Sequence, residues 1–142
     1  MAYVSAIIGN VFAVRWDGPT AADVEQMDAE VAAFKRGVSK MHGLAVVPED
    51  TPPPDDATRK AMGRSMKTLL DHLETMHTVI EGDGFKHTIL RSVMTGVTLV
   101  GGKRGRVFTY ATIPEAIVAL VPLTDQTVTQ LSQSLGRRKI LG

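Results

Sequence analysis

Val4-Ser5-Ala6-Ile7-Ile8-Gly9-Asn10-Val11-Phe12-Ala13-Val14-Arg15-Trp16 is the stretch that decides the fold. Two β-rich runs, 4–8 and 11–16, flank Gly9-Asn10, a pair that accepts the positive φ of a tight hairpin turn. The chain therefore opens with an antiparallel pair. The pattern then changes. Asp17-Gly18-Pro19 signals a turn, and Thr20 with Asp23 three residues later resembles the motif that caps free backbone N–H groups at a helix start. Val24, Met27, Val31, Phe34 and Val38 recur at intervals of three and four. Asp23, Glu25, Asp28 and Glu30 precede Lys35, Arg36 and Lys40, which orders the charges along the helix dipole.

Downstream the two periods alternate. Gly43 is expected to end the next turn, and Leu44-Ala45-Val46-Val47 reads as a strand buried on both faces. Residues 48–56 hold four prolines and four carboxylates, Glu49, Asp50, Asp55 and Asp56, and should form an exposed acidic loop. With Asp55 or Asp56 as cap, Met62, Met66, Leu69, Leu70 and Leu73 mark a second helix, its methionines suited to an adaptable packed face. A strand over 77–81, a turn at Gly82-Asp83-Gly84 and a helix from Phe85 to Val100 follow, and Gly101-Gly102 stops that helix. Val107 to Tyr110 is a strand. Thr112-x-x-Glu115, with Pro114 in the first turn, caps a helix through Leu120 or Val121. From Thr124 onward, Val128, Leu131 and Leu135 stand at helical spacing before Gly136-Arg137-Arg138-Lys139.

The order is β-β-α-β-α-β-α-β-α with an added helix. Strands separated by helices favour parallel neighbours, so the expected fold class is α/β. A mixed sheet, antiparallel in its first hairpin and parallel afterwards, should be flanked by helices. The domain is read as residues 1–123, with a C-terminal amphipathic helix and basic tail over 124–142.

The chain has 142 residues, 44% hydrophobic and 22% charged, as expected of one globular domain. Sixteen Lys and Arg against fifteen Asp and Glu leave a net charge of +1, so no nucleic-acid partner is expected. The lack of cysteine excludes disulfides, thiolate metal sites and a cysteine nucleophile. No apolar run approaches the roughly 20 residues of a membrane span. The first residues lack the basic region of a signal peptide, and a cytoplasmic location is expected.

Chemistry-bearing residues are sparse. Asp71 and His72 are adjacent on a helix and point about 100° apart, so neither orients the other. His72 and His77 lack the i, i+4 spacing of metal ligands. All four histidines, His42 and His87 included, are read as surface or partly packed side chains. Glu81 and Asp83 sit at the carboxyl end of a strand, where α/β sheets bind ligands, but their charges repel phosphate. Gly101 to Arg106 resembles a phosphate loop but lies between helix and strand, the reverse of the P-loop order. Arg137-Arg138-Lys139 reads as a solvated tail. The stripe Val128, Leu131, Leu135 could cover its own domain or a second copy. No catalytic, cofactor-binding or metal-binding residue is assigned, and the chain is read as a non-enzyme.

Element order resembles the STAS domain of sulphate transporters and anti-sigma-factor antagonists, and more loosely the lipid-binding SEC14-like domain. Trp16-Asp17-Gly18-Pro19-Thr20 is similar to the strand-to-helix junction of such bacterial proteins. Val79-Ile80-Glu81-Gly82-Asp83-Gly84-Phe85, Val107-Phe108 and Ile113-Pro114-Glu115-Ala116 are similar to their second half. The resemblance covers about residues 3–122. It implies a non-enzymatic protein-interaction module in bacterial signalling or intracellular organisation, switched by phosphorylation at the N-terminus of the helix after the third strand. The Asp-Ser of the family pattern is absent, and Asp55-Asp56-Ala57-Thr58 stands there instead, which makes Thr58 the candidate phosphosite. Asp55, Asp56, Val128, Leu131 and Leu135 are the candidate contacts with a partner protein, or with a second copy through the C-terminal helix. The alternative is a SEC14-like carrier of a small ligand or lipid, with its cavity beneath the Phe85 to Val100 helix.

Overall fold

Strands β1 (Tyr3–Ile8) and β2 (Val11–Trp16) pair antiparallel through a turn in which Gly9 takes φ +59°. The computed structural model describes residues 3–18, 20–35, 40–49, 51, 55–82 and 106–140, with the side chains of Lys35 and Met66 aside. The helix expected over 85–100 lies outside these residues.

Helix α1 (Ala21–Lys35) begins as its cap signal requires. Asp23 Oδ2 accepts from the Thr20 amide at 2.8 Å, and Thr20 Oγ1 accepts from the Asp23 amide at 3.3 Å. Val24, Met27 and Val31 face inward, whereas Phe34 remains partly exposed. Strand β3 (Met41–Val47) is buried at all seven residues and begins three residues before the apolar run. Gly43, expected to end a turn, stands inside it. A Cβ at Gly43 would lie 2.9 Å from Leu73 Cδ1 and would overlap the Met76 sulfur, so the missing side chain lets β3 and β4 side chains fit together.

Helix α2 (Asp56–His72) runs directly into β4 (Leu73–Ile80). Leu73, expected on the helical stripe, is instead extended at φ −105°, ψ 135°. The abrupt change is held by Arg106. Its Nε donates to the Glu74 carbonyl at 2.8 Å, and Nη2 donates to the Leu70 and Leu73 carbonyls at 2.6 and 2.5 Å. These bonds fill acceptors that a helix end leaves free. Arg106, the last residue of the stretch that resembles a phosphate loop, therefore spends its guanidinium inside the fold.

With β5 (Val107–Tyr110) the sheet order is β1-β2-β3-β4-β5, and every pair after the first is parallel. This is the mixed α/β sheet that the element order implies. One face, with Phe12, Val14, Trp16, Ala45 and Met76, packs under α1 and α2. The opposite face, with Ala13, Leu44, Val46 and Val79, packs under α3 (Ile113–Leu120) and α4 (Val128–Arg137), which a short 3-10 turn at Val121–Leu123 connects. Helix α4 starts with a reciprocal capping box between Thr127 and Gln130. Leu131 and Leu135 are fully buried in the sheet-facing core together with Ile140. These two leucines, expected as partner contacts, are therefore spent on the chain's own sheet, whereas Val128 of the same stripe stays exposed. Each such leucine contributes roughly 1.5–3 kcal/mol of burial.

Candidate functional site

The N-terminus of α2 follows from its local sequence. Asp55 is the cap, and its Oδ1 accepts from the Thr58 amide at 2.7 Å. That backbone bond, with the Thr58 side chain, holds the Asp55 carboxyl below its usual range. Asp56 is exposed and pairs with Arg59. Thr58 is only 3% exposed, so a phosphate on its hydroxyl would require the first turn to open. Two turns on, the Ser65 hydroxyl donates to Asp28 Oδ1 at 2.5 Å and ties α2 to α1. Burial raises the Asp28 carboxyl, and the Ser65 bond opposes that rise.

At the carboxyl ends of the parallel strands, Glu81 is engaged by its own fold. Its amide donates to the Val47 carbonyl at 3.0 Å, and Oε1 lies 3.6 Å from Arg15 Nη1. The same Arg15 nitrogen donates to the Ile140 carbonyl at 3.2 Å, so Glu81, β2 and the segment after α4 are joined. Asp83, the other half of the candidate carboxylate pair, lies outside the described residues.

The most concentrated polar arrangement is one that sequence reasoning missed. His42 on β3, Thr75 and His77 on β4, and Tyr110 on β5 form a hydrogen-bonded chain across three strands. Thr75 Oγ1 stands 2.8 Å from His42 Nδ1 and 2.9 Å from His77 Nε2, and His77 Nδ1 stands 2.9 Å from the Tyr110 hydroxyl. The single Thr75 proton goes to one imidazole, and the other imidazole donates to Thr75. His77 also stacks against Phe108 and Tyr110, with ring centroids 5.1 and 5.8 Å away. Burial, and then the neighbouring His42, push the His77 imidazole down to about 4. Burial also lowers His42 and raises the Tyr110 phenol. Both imidazoles are therefore neutral at pH 7, and the chain works as a polar seam through an apolar sheet. His42 and His77, read as surface or partly packed, are almost fully buried. The usable signal was alternation: Thr75 and His77 share one face of β4, and Phe108 and Tyr110 share one face of β5.

The helices outside this face leave apolar side chains in solvent. Val118 on α3 is 65% exposed, Leu123 is 39% exposed, and Val128 at the start of α4 is 49% exposed. Between the other sheet face and α1 and α2 lies a cavity of about 40 Å³, lined by Trp16, Met27, Met62, Leu69 and Met76, with Thr78 beside them. Thr78 Oγ1 is buried without a hydrogen-bond partner. Among the described residues no cluster of three or more His, Asp or Glu is placed to hold a metal ion, and no helix is long and apolar enough to cross a membrane. A scan against protein-family models and searches of curated proteins and of solved structures find no match to this chain.

Proposed function

We propose that this domain is a non-enzymatic protein-interaction module of the STAS-like type, acting in bacterial signalling or intracellular organisation from the cytoplasm. The observation that carries the reading is the apolar outer surface of the α3-to-α4 layer. Val118, Leu123 and Val128 are exposed on α3, the turn after it and α4, and the inner sides of the two helices already fill the core. Exposed apolar side chains of this kind mark protein contacts when they are grouped. Element order and the mixed sheet support the family likeness, and exposed Asp56 supplies a charged contact at the opposite layer.

A double substitution, Val118→Asp with Val128→Asp, tests the reading without disturbing the core. The expected outcome is an unchanged melting temperature and loss of the partner that the wild-type domain captures from its own host. Retention of the same partner by the double variant would overturn the surface assignment. Removal of residues 124–142 is not an equivalent test, because it strips Leu131, Leu135 and Ile140 from the core.

The carrier reading has one supporting observation, the cavity beside Thr78. Its volume of about 40 Å³ suits one or two waters. Ordinary ligand pockets run to roughly 300–1,000 Å³, so a lipid would need the α1 and α2 layer to move outward. Solvent extraction of the native protein followed by mass spectrometry tests it, and a clean extract would overturn it.

A further inference from the structure

At the tip of the β1–β2 hairpin an open groove of about 510 Å³ runs between Gly9 and the last turn of α4. It is lined by Ile7 and Ile8 and by the polar residues Gln126, Ser134, Arg137 and Arg138. Gly9 lines the hairpin side at φ +59°, a backbone conformation that favours glycine. Among the described residues neither Arg137 nor Arg138 forms an ion pair, whereas Arg15, Arg59 and Arg106 are each bound within the fold. Two arginines free of carboxylates and lining one groove suit an anion.

The number of donors selects the anion. Each guanidinium offers a planar fork of N–H groups, and the Ser134 hydroxyl and Gln126 amide add more. A carboxylate has about four lone-pair positions on two oxygens. A phosphate monoester presents three strong acceptor oxygens and nearly two negative charges at pH 7. We propose that this groove binds the phosphate group of a phosphomonoester through Arg137 and Arg138, with Ser134 and Gln126 as further donors. The nearby Asp125 carboxylate and the negative end of the α4 dipole oppose the anion, and the two full positive charges of Arg137 and Arg138 exceed one carboxylate and the roughly half charge of a helix end. The tail that reads as solvated in one dimension becomes one wall of a site because α4 packs beside the hairpin.

Inorganic phosphate and glycerol 3-phosphate, titrated into isotopically labelled protein at constant ionic strength with chloride as control, test the proposal by backbone amide shifts. Saturable shifts confined to Ser134, Arg137, Arg138 and Gln126 are expected. The combined Arg137→Gln and Arg138→Gln variant should bind at least tenfold more weakly with an unchanged melting temperature, since both side chains are exposed. Shifts that fail to saturate, that chloride reproduces, or that survive in the double variant would overturn it. Flotation with phosphatidylcholine vesicles, with and without phosphatidic acid, separates the two sources of the group. Binding to phosphatidic acid that glycerol 3-phosphate displaces identifies a site for either source, and saturation by the soluble ester alone identifies a free ligand. Binding by neither overturns the proposal.

Discussion

His77 shows how one residue can couple the fold to pH. Its folded imidazole titrates at about 4, against about 6.5 for an ordinary histidine. As pH falls from 7, the unfolded chain takes up this proton near 6.5 while the folded chain stays neutral. Stability is therefore complete above about 6.5, falls between about 6.5 and 4, and levels off below. Between about pH 7 and pH 4.5 the expected loss is on the order of 2 kcal/mol, read as a drop in the urea midpoint. His42, lowered in the same direction, adds to it. His77→Phe keeps a ring beside Phe108 and Tyr110 but removes the proton site. It should cost about 1–3 kcal/mol at neutral pH, since the Tyr110 hydroxyl loses its partner, and should flatten the pH profile. Thr78 is the reverse case. Its hydroxyl is buried and unpartnered, so Thr78→Val should raise stability by about 1 kcal/mol in chemical denaturation.

At the scale of elements, what was legible depended on how local the cause is. Thr20 with Asp23, Thr112 with Glu115 and Asp55 with Thr58 are caps made by neighbours in sequence, and each helix start agrees with its signal. Boundaries differ from expectation at Gly43 and at Leu73, where β4 begins four residues before the expected His77. Gly43 lies in a strand because Leu73 and Met76 need its empty side, and Leu73 leaves the helix because Arg106, more than thirty residues away, receives the helix end. Arg106→Ala should therefore cost about 2–3 kcal/mol and speed amide exchange in the last turn of α2 and the first residues of β4. Arg106→Lys should recover little, since an ammonium cannot reproduce a planar fork spread over three carbonyls.

For the whole molecule, the two helical layers have different standing. Helices α1 and α2 were expected from their caps and stripes. Helix α4 could have covered its own sheet or a second copy, and burial of Leu131 and Leu135 decides for the sheet. Leu131→Ala should cost about 2–5 kcal/mol, measured by thermal or urea unfolding. Ending the chain at Leu123 should abolish cooperative unfolding, because α3 alone would remain on a sheet face that also loses Leu131, Leu135 and Ile140.

By itself the sequence determined the class of fold: period-2 runs around Gly9-Asn10, then strands alternating with helices, leave few ways to hide apolar faces other than a mixed sheet between helices. It also determined the caps, because their partners lie three residues apart. Only the tertiary structure decided what the polar residues do. His42, Thr75, His77 and Tyr110 become one seam, and Arg137 and Arg138 meet Gly9, because sheet register and helix packing bring together residues that are dozens of positions apart. Hydrogen bonds and charge act over a few ångströms in space. The patterns that a chain displays along its length record burial, which each element expresses on its own.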